Sequence, residues 1–426
     1  MERMEFNGLR VHFIGIGGVS MQALGQIIET WGAIVTGSDS NIGKGHVTSN
    51  IHKNIDLVVM NGAISDDNVE LERAKQLGIK IIDRSDLLAE IESRYKHRIA
   101  VAGTHGKSTT TAMIGAILCQ GGKNPTVHNG ARPNLILGGM EFFVTEACEF
   151  KRSFLKLQPT VAVITNIDAD HMDCYRDLAE IETAFNTFAR SAQTIIQHDG
   201  EIDSHEYKPG YFAFSIEKTP AAVGVTPFSK GGNLQNEIRI CLAVPGKHNV
   251  MNAMLAVKVG LYFGISLADI KTALENFTGV ERRFQKISDT VLVDSDGQRT
   301  AYEAITQVIA DYAHHPTEIK TTVDTANAIF GERQYLVVFQ PHTFTRTIAF
   351  FDDFVDVLKA ADVVMYKTFS AREKPINGGK ASDLARELGV RYFATKNALQ
   401  RHIAKISPKY KAVILTGAGD INKVLE

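Results

Sequence analysis

The sequence predicts an α/β protein built from three parallel-sheet domains, and three observations carry that prediction. The chain has 426 residues, more than one hydrophobic core ordinarily serves. Short apolar strands alternate with helical stretches from one end to the other, as βαβ units require. Twice a strand passes through a glycine-rich turn straight into a helix, at residues 15–18 and again at 103–106. The expected domains span residues 1–96, 97–279 and 280–426.

The first domain opens with a strand at 9–14, the turn Gly15-Ile16-Gly17-Gly18, and a helix to residue 30. A second strand, 33–36, ends in Gly37-Ser38-Asp39. Strand, glycine turn, helix, strand and acid form the Rossmann-like layout that receives the phosphates and ribose of a nucleotide. The spacing is Gly-x-Gly-Gly rather than Gly-x-Gly-x-x-Gly, so a dinucleotide is not the first expectation. The glycines could instead serve tight packing alone. A strand at 57–60, a helix at 69–77 and a strand at 80–82 continue the alternation. The polar run Glu92-Ser93-Arg94-Tyr95-Lys96-His97 reads as the domain boundary.

The second domain starts with an apolar strand, the bracketed turn Gly103-Thr104-His105-Gly106, and a helix opened by Lys107-Ser108-Thr109. This is the grammar of a phosphate-binding loop in a central P-loop ATPase-type sheet. Backbone N–H groups and the positive helix end would face β- and γ-phosphates. Lys107 would neutralise them and the Ser108 hydroxyl would hold Mg²⁺. The usual first glycine is Val101 here, so an ordinary strand–turn–helix junction is the competing reading. Strands at 141–145 and 160–165 run into Glu146-Ala147-Cys148-Glu149 and Asn166-Ile167-Asp168-Ala169-Asp170-His171-Met172-Asp173. Acids at the C-terminal ends of parallel strands lie where ligands bind. With Glu146, the cluster Asp168, Asp170, His171 and Asp173 suits Mg²⁺ or Mn²⁺, or else caps a helix. Residues 191–230 show no clear pattern. A helix over 245–260 carries Asn249 and Asn252 near its start, able to hold an adenine edge or to cap.

A helix at 267–277 leads to Arg282-Arg283-Phe284 and the third domain. Strands at 335–339, 363–366 and 412–415 alternate with helices at 351–360 and 382–388. Two polar loops stand out, Asp311-Tyr312-Ala313-His314-His315-Pro316 and Gln340-Pro341-His342-Thr343-Phe344-Thr345-Arg346-Thr347. Their residue types suit substrate reading.

Composition narrows the function classes. Lys and Arg number 46 against 48 Asp and Glu, which argues against a general nucleic-acid binder and gives no membrane-surface signal. Cys119, Cys148, Cys174 and Cys241 are scattered, as in a reduced compartment. No signal-like apolar core or span-length apolar run occurs, so a soluble cytoplasmic protein is expected.

Taken together and in order, these motifs resemble the Mur ligase family over nearly the whole chain, its alanine-adding branch in particular. The resemblance rests on Gly15-Ile16-Gly17-Gly18, Gly37-Ser38-Asp39, Gly103-Thr104-His105-Gly106-Lys107, Glu146-Ala147-Cys148-Glu149 and the Thr165 to His171 run. It continues with His248-Asn249, Arg282-Arg283-Phe284, the Asp311 loop through Glu318, and the loop from Phe339 to Thr347. It implies a UDP-binding first domain, an ATP-binding central domain, and a third domain that closes over ATP and brings the amino acid. The implied reaction joins L-alanine to the lactyl carboxylate of UDP-N-acetylmuramate through an acyl phosphate, at the expense of ATP.

The resemblance also implies residue roles. Gly103, Thr104, Gly106, Lys107, Ser108, Thr109, Asn249, Asn252, Arg283 and Asp311 would bind ATP. Ser108, Glu146 and His171 would hold two Mg²⁺ ions, with Mn²⁺ as a substitute. Gly15, Gly17, Gly18, Ser38 and Asp39 would cradle UDP, and His105 would face the muramate. Tyr312, His315 and Arg346 would shape the amino-acid site, with Arg346 pairing the carboxylate. Catalysis would fall to Lys107, His171, Glu146 and Arg346. The expected partners are small molecules, with no nucleic acid and no membrane, in a monomer or homodimer.

Some family members carry a modified lysine after the Asp-His motif; no lysine occurs between Lys156 and Lys208 here, in keeping with the alanine-adding branch. Ser108 replaces the usual Thr, Cys148 a frequent Asp and Thr343 a frequent Arg. The segment 284–311 is longer than expected, with residues 293–300 as an added turn between two strands. A ligase attaching a murein tripeptide to the same sugar nucleotide is the nearest rival. An NAD-dependent oxidoreductase would use the first glycine turn but leave Lys107, Ser108, Glu146 and His171 without a task.

Overall fold

A computed structural model describes residues 4–40, 43, 45–170, 174–198, 212–219, 222–229, 240–295, 298–371 and 373–425. The chain forms two compact units. One comprises Met1–Phe214, Pro227–Ile238 and Met251–Asn276, the other Ser215–Thr226, Arg239–Val250 and Phe277–Glu426.

The first unit holds two sheets. Strands β1 (Arg10–Ile14), β2 (Ile34–Ser38), β3 (Leu57–Met60) and β4 (Lys80–Asp83) are parallel, in the order β2-β1-β3-β4. Helices α1 (Val19–Thr30), α2 (Val69–Gln76) and α3 (Arg84–Glu92) connect them. The order reverses at β1, so the turns after β1 and β3 meet at a topological switch point, where a crevice forms.

The second sheet runs β10-β9-β5-β8-β6-β7. Its strands are β5 (His97–Ala102), β6 (Thr126–His128), β7 (Leu135–Ile136), β8 (Phe142–Glu146), β9 (Val161–Ile164) and β10 (Thr194–Ile196). Only β7 is antiparallel. The chain enters at the middle with β5, so the ends of β5, β8 and β9 share one edge. Helix α4 (Lys107–Gln120) is flanked by α7 (Leu267–Glu275), while α5 (Leu178–Arg190) and α6 (Lys247–Tyr262) complete the helical layers. The predicted segments here coincide with these elements to within one to three residues at their ends.

The two sheets of this unit share one apolar core, and this changes the reading of residues 92–97. The stretch is polar in composition, yet Tyr95 is buried, stacks on Phe143 at 4.8 Å and lies 6.4 Å from Trp31. Glu92 ends α3 buried, with Oε2 accepting from the Gln158 N–H at 2.7 Å. The chain crosses between sheets through packed structure rather than an exposed linker.

Earlier in the chain, β11 (Phe212–Thr219), β12 (Ala222–Ser229) and β13 (Ile240–Leu242) form a three-stranded sheet; the second unit is built on a six-stranded sheet, order β14-β15-β19-β16-β17-β18. Its strands are β14 (Gln285–Ser295), β15 (Gln298–Asp311), β16 (Tyr335–Phe339), β17 (Asp362–Tyr366), β18 (Tyr392–Phe393) and β19 (Ala412–Thr416). Helices α8 (Pro316–Phe330), α10 (Phe351–Leu358) and α11 (Ala381–Leu388) cover one face and α12 (Lys396–Ile406) the other, each over its own apolar cluster. Short α9 (Phe344–Ala349) follows β16. The long 284–311 segment is an antiparallel hairpin, β14 on β15, with three register shifts. β15 pairs with β19 only from Gln307 to Asp311, so the added residues lengthen the hairpin and leave the Asp311 end anchored in the sheet.

Candidate active site

In the first unit the Gly103–Gly106 turn is shaped by its two glycines. Gly103 has φ +141°, and a Cβ there would stand 1.8 Å from Thr165 Oγ1. Gly106 caps α4 at φ +82°, and a Cβ would stand 2.4 Å from Asn252 Oδ1. Both positions demand the missing side chain. Thr165 Oγ1 donates to the His105 carbonyl at 2.6 Å, and the His105 N–H donates to Asn166 Oδ1 at 2.9 Å. The Asp168 N–H donates to Thr104 Oγ1 at 2.9 Å. The loop is thus fastened to the end of β9 along its length.

Lys107 points back over this turn. Its Nζ donates to the carbonyls of Gly103 and Thr104 and lies 3.0 Å from Glu149 Oε2. Burial works against the ammonium charge, but Glu149, Cys148 and Glu146 together overcome it and hold the pKa above the usual lysine range. Beside it, Ser108 Oγ donates to Glu146 Oε2 at 2.7 Å, and the Gly130 N–H reaches the same oxygen at 3.1 Å. A hydroxyl and a carboxylate on adjoining elements form an all-oxygen set, which fits a hard divalent cation. Cys148 stands partly exposed beside them, and desolvation first and Glu149 second push its thiol up to about 11. Thr109 is buried in the first turn of α4.

His171 and Asp173 lie outside the described residues. Asp168 Oδ1 accepts from the Ala169 N–H at 2.8 Å while Oδ2 sits 3.4 Å from His105 Nε2. Helix α5 is capped by Asp177, whose Oδ1 accepts from the Glu180 N–H at 2.8 Å. The N-cap of α5 is thus Asp177.

The first glycine turn packs as tightly. The Gly17 N–H donates to Asp39 Oδ2 at 3.1 Å, and a Cβ on Gly17 would meet Asp39 Cγ at 2.7 Å. Gly15, at φ +89°, faces Asn61 after β3, and Gly18 precedes α1. Ser38 is buried and donates to Glu70 Oε2 at 2.5 Å. Glu70 also accepts from Asn50 Nδ2 and the Val47 N–H, with His12 and His46 beside it. Burial would raise the Glu70 pKa, but these bonds, His12 foremost, hold it at about 2. A cleft of about 300 Å³ opens beside this turn, lined in part by Gly18, Ser20, Asn61, Arg84, Cys148 and Lys151. Ser20 Oγ sits 2.8 Å from His128 Nε2 and accepts from Arg84 Nη1 at 3.1 Å.

In the second unit, Asp311 ends β15 buried. Its carboxylate accepts from Thr322 Oγ1 at 2.8 Å and the Ala313 N–H at 3.2 Å, and burial pushes its pKa up to about 6. Arg283 lies 3.4 Å from Glu318 and over the Tyr312 ring, which Arg282 also covers. His315 is a buried N-cap of α8, its Nδ1 accepting from the Thr317 N–H. Arg346 sits on α9, its Nη1 3.4 Å from His342 Nδ1. Asn249 donates to the Pro245 carbonyl at 2.6 Å at the start of α6, a local cap-like bond, whereas Asn252 packs on Gly106 in the first unit.

Sequence reasoning did not assign Asn129, which donates to the Ser108 carbonyl, nor Gly130, Glu70, Ser20, Arg84, His128 and Lys151. None carries a local pattern; each matters through a partner distant in sequence.

Family models match three successive stretches: the Mur ligase family catalytic domain over residues 10–96, the Mur ligase middle domain over 101–260, and the Mur ligase glutamate ligase domain over 298–419. A UDP-N-acetylmuramate–L-alanine ligase of Persephonella marina is 38% identical, covering 97% of this chain and 95% of its own length. The chain belongs to the Mur ligase family. It has that family's three-domain architecture of α/β parallel sheets. Another ligase of the same name, from Clostridium kluyveri, is 35% identical over 98% of this chain and 97% of its own. Among solved Mur ligase folds, the UDP-N-acetylmuramate-alanine ligase of Thermotoga maritima aligns at a TM-score of 0.77 with 29% identity, covering 98% and 97% of the two chains. A murein peptide ligase of Psychrobacter arcticus aligns at 0.67 with 22% identity, a likeness of fold. No described helix is long and apolar enough to cross a membrane.

Proposed function

We propose that this chain is an ATP-dependent ligase that joins L-alanine to the lactyl carboxylate of UDP-N-acetylmuramate, a step of peptidoglycan precursor synthesis in the cytoplasm. The observation that carries the reading is Lys107 and Ser108 following a glycine turn with Glu146 of β8 beside them, in a chain similar to an alanine ligase over 97% of its length. We assign UDP binding to residues 1–96, ATP binding to 97–279, and amino-acid binding and closure to 280–426.

A carboxylate is a poor electrophile. Its oxygen attacks the γ-phosphorus of ATP, ADP departs, and an acyl phosphate forms. The uncharged alanine amine then attacks the acyl carbon, inorganic phosphate leaves, and the amine proton passes to solvent or a base. Negative charge builds on the transferring phosphoryl group, and fixed cations aimed at it lower the barrier. Lys107 would be one such cation. It stays charged while buried, and incoming phosphate oxygens would replace its carbonyl and Glu149 partners. Mg²⁺ would be held by Ser108 and Glu146, joined in our reading by His171 and a second ion, and would supply charge neutralisation. Thr109 and the N–H groups of Gly106, Lys107 and Ser108 would receive phosphate oxygens at the positive end of α4. Asn249, Asn252, Arg283 and Asp311 would hold the nucleoside. Gly15, Gly17, Gly18, Ser38 and Asp39 would carry UDP and His105 the muramate. Tyr312, His315 and Arg346 would form the acceptor site, the guanidinium pairing the alanine carboxylate.

The test is phosphate release from ATP with Mg²⁺ and UDP-N-acetylmuramate, comparing L-alanine, glycine, L-serine and murein tripeptide. Release that depends on L-alanine is expected. Release only with the tripeptide would move the chain to the peptide-attaching ligases, and none with any acceptor would end the ligase reading.

A further inference from the structure

The loop carrying Arg346 is held from outside by one residue with no assigned role. Glu373 accepts from the N–H groups of Phe344 and Thr345 through Oε2, at 2.6 and 3.1 Å, and from Thr345 Oγ1 through Oε1 at 2.5 Å. Both carboxylate oxygens are thereby spent on the first turn of α9, one residue before Arg346. A negative charge at that position also matches the positive end of the helix.

The backbone around this contact is strained on both sides. Thr343 has φ +67° and Ala371 φ +47°, left-handed values that non-glycine residues adopt only when their surroundings force them. The Phe369 N–H donates to the Pro341 carbonyl at 2.8 Å, the Thr343 N–H donates to the Phe369 carbonyl at 2.9 Å, and the His342 and Phe369 rings stack at 5.7 Å. Phe369 and Glu373 thus hold residues 341–345 from the same side.

We propose that Glu373 is a positioning residue for the amino-acid acceptor, holding α9 in the register that presents the Arg346 guanidinium. It touches no reacting atom. The inference rests on the proposed role of Arg346 and adds what fixes it. A bidentate guanidinium–carboxylate contact tolerates little misplacement, so loosening α9 should weaken acceptor capture and leave the sugar nucleotide and ATP unaffected.

The experiment measures phosphate release by the full chain while each substrate is varied in turn. For Glu373→Ala, KM for L-alanine should rise by about tenfold or more, as loss of charge-assisted hydrogen bonds commonly produces. KM for ATP and for UDP-N-acetylmuramate should stay within about twofold. Glu373→Gln, which keeps an acceptor and the side-chain length, should recover most of the loss; Thr345→Val, which deletes one bond, should fall between. A purely structural role would lower the melting temperature or raise all three KM values together, and either pattern with an unchanged alanine preference overturns the proposal. If Glu373→Ala does not fold, the Thr345→Val series decides alone: an unchanged KM for alanine there refutes it. Wild-type protein that releases no phosphate with alanine would instead refute the function on which the proposal stands.

Discussion

Glu92 provides a test of the packing between the two sheets of the first unit that does not depend on the reaction. Its carboxyl is buried, accepts the Gln158 N–H through Oε2, and leaves Oε1 with no hydrogen-bond partner among the described residues. Burial pushes its pKa up from 4.5 to about 7, against smaller opposing effects of the Gln158 N–H and Arg98. Between those two values the folded chain keeps a proton that the unfolded chain has released. Stability therefore falls as pH rises across the window, and the full penalty is present above pH 7. At ~1.4 kcal/mol per unit, the penalty reaches about 3 kcal/mol. Glu92→Gln cannot ionise, so it escapes the penalty. Whatever the amide's own packing is worth is the same at every pH. Relative to wild type, the variant should gain about 2 kcal/mol between pH 5 and pH 8, read as a melting-temperature gap that widens by several degrees. A gap that stays constant, or narrows with rising pH, would show that Glu92 is solvated and that the shared core is looser than described.

Glu70 should show the opposite dependence. Its pKa of about 2, held down by His12, Ser38, Asn50 and the Val47 N–H, contributes stability above pH 4.5 that is lost as pH falls through 2. Glu70→Gln should cost about 2–3 kcal/mol at pH 7 and little near pH 2, checked by denaturation at both. In the phosphate turn, Gly103→Ala would set a Cβ 1.8 Å from Thr165 Oγ1 at φ +141°. We expect loss of measurable ATP binding by calorimetry; binding within about threefold of wild type would mean the turn relaxes cheaply and is not a fixed phosphate cradle.

The alternation of strands and helices was legible because each parallel strand is an apolar run ended by a turn, as at Tyr335–Phe339, buried throughout. α8 and α12 escaped notice: α8 begins within the His315-Pro316 motif that reads as a loop, and α12 is polar along its exposed side. Glu70 and Glu373 illustrate the larger limit. Each looks like an ordinary surface acid, and each acts through groups 20 to 58 residues away or 28 to 29 residues away that only the fold brings near. Tyr95 misled for a related reason, since a polar run conceals one buried ring that joins two sheets.

The phosphate turn is where sequence and structure bear on each other most closely. Val101 occupies the place where the familiar pattern has a glycine, which left the motif incomplete. In the fold that position is inside β5, opposite Glu146 on one side and Val163 on the other, fully buried. A glycine there would weaken a central strand and supply nothing, since the chain has not yet begun to turn. The turn starts one residue after Ala102 and needs left-handed backbone at Gly103 and Gly106, where glycine stands. Val101 is therefore a strand residue, and the glycines stand only where the chain turns. Its strand also sets β8 alongside, so that Glu146 arrives beside Ser108 without any loop to carry it.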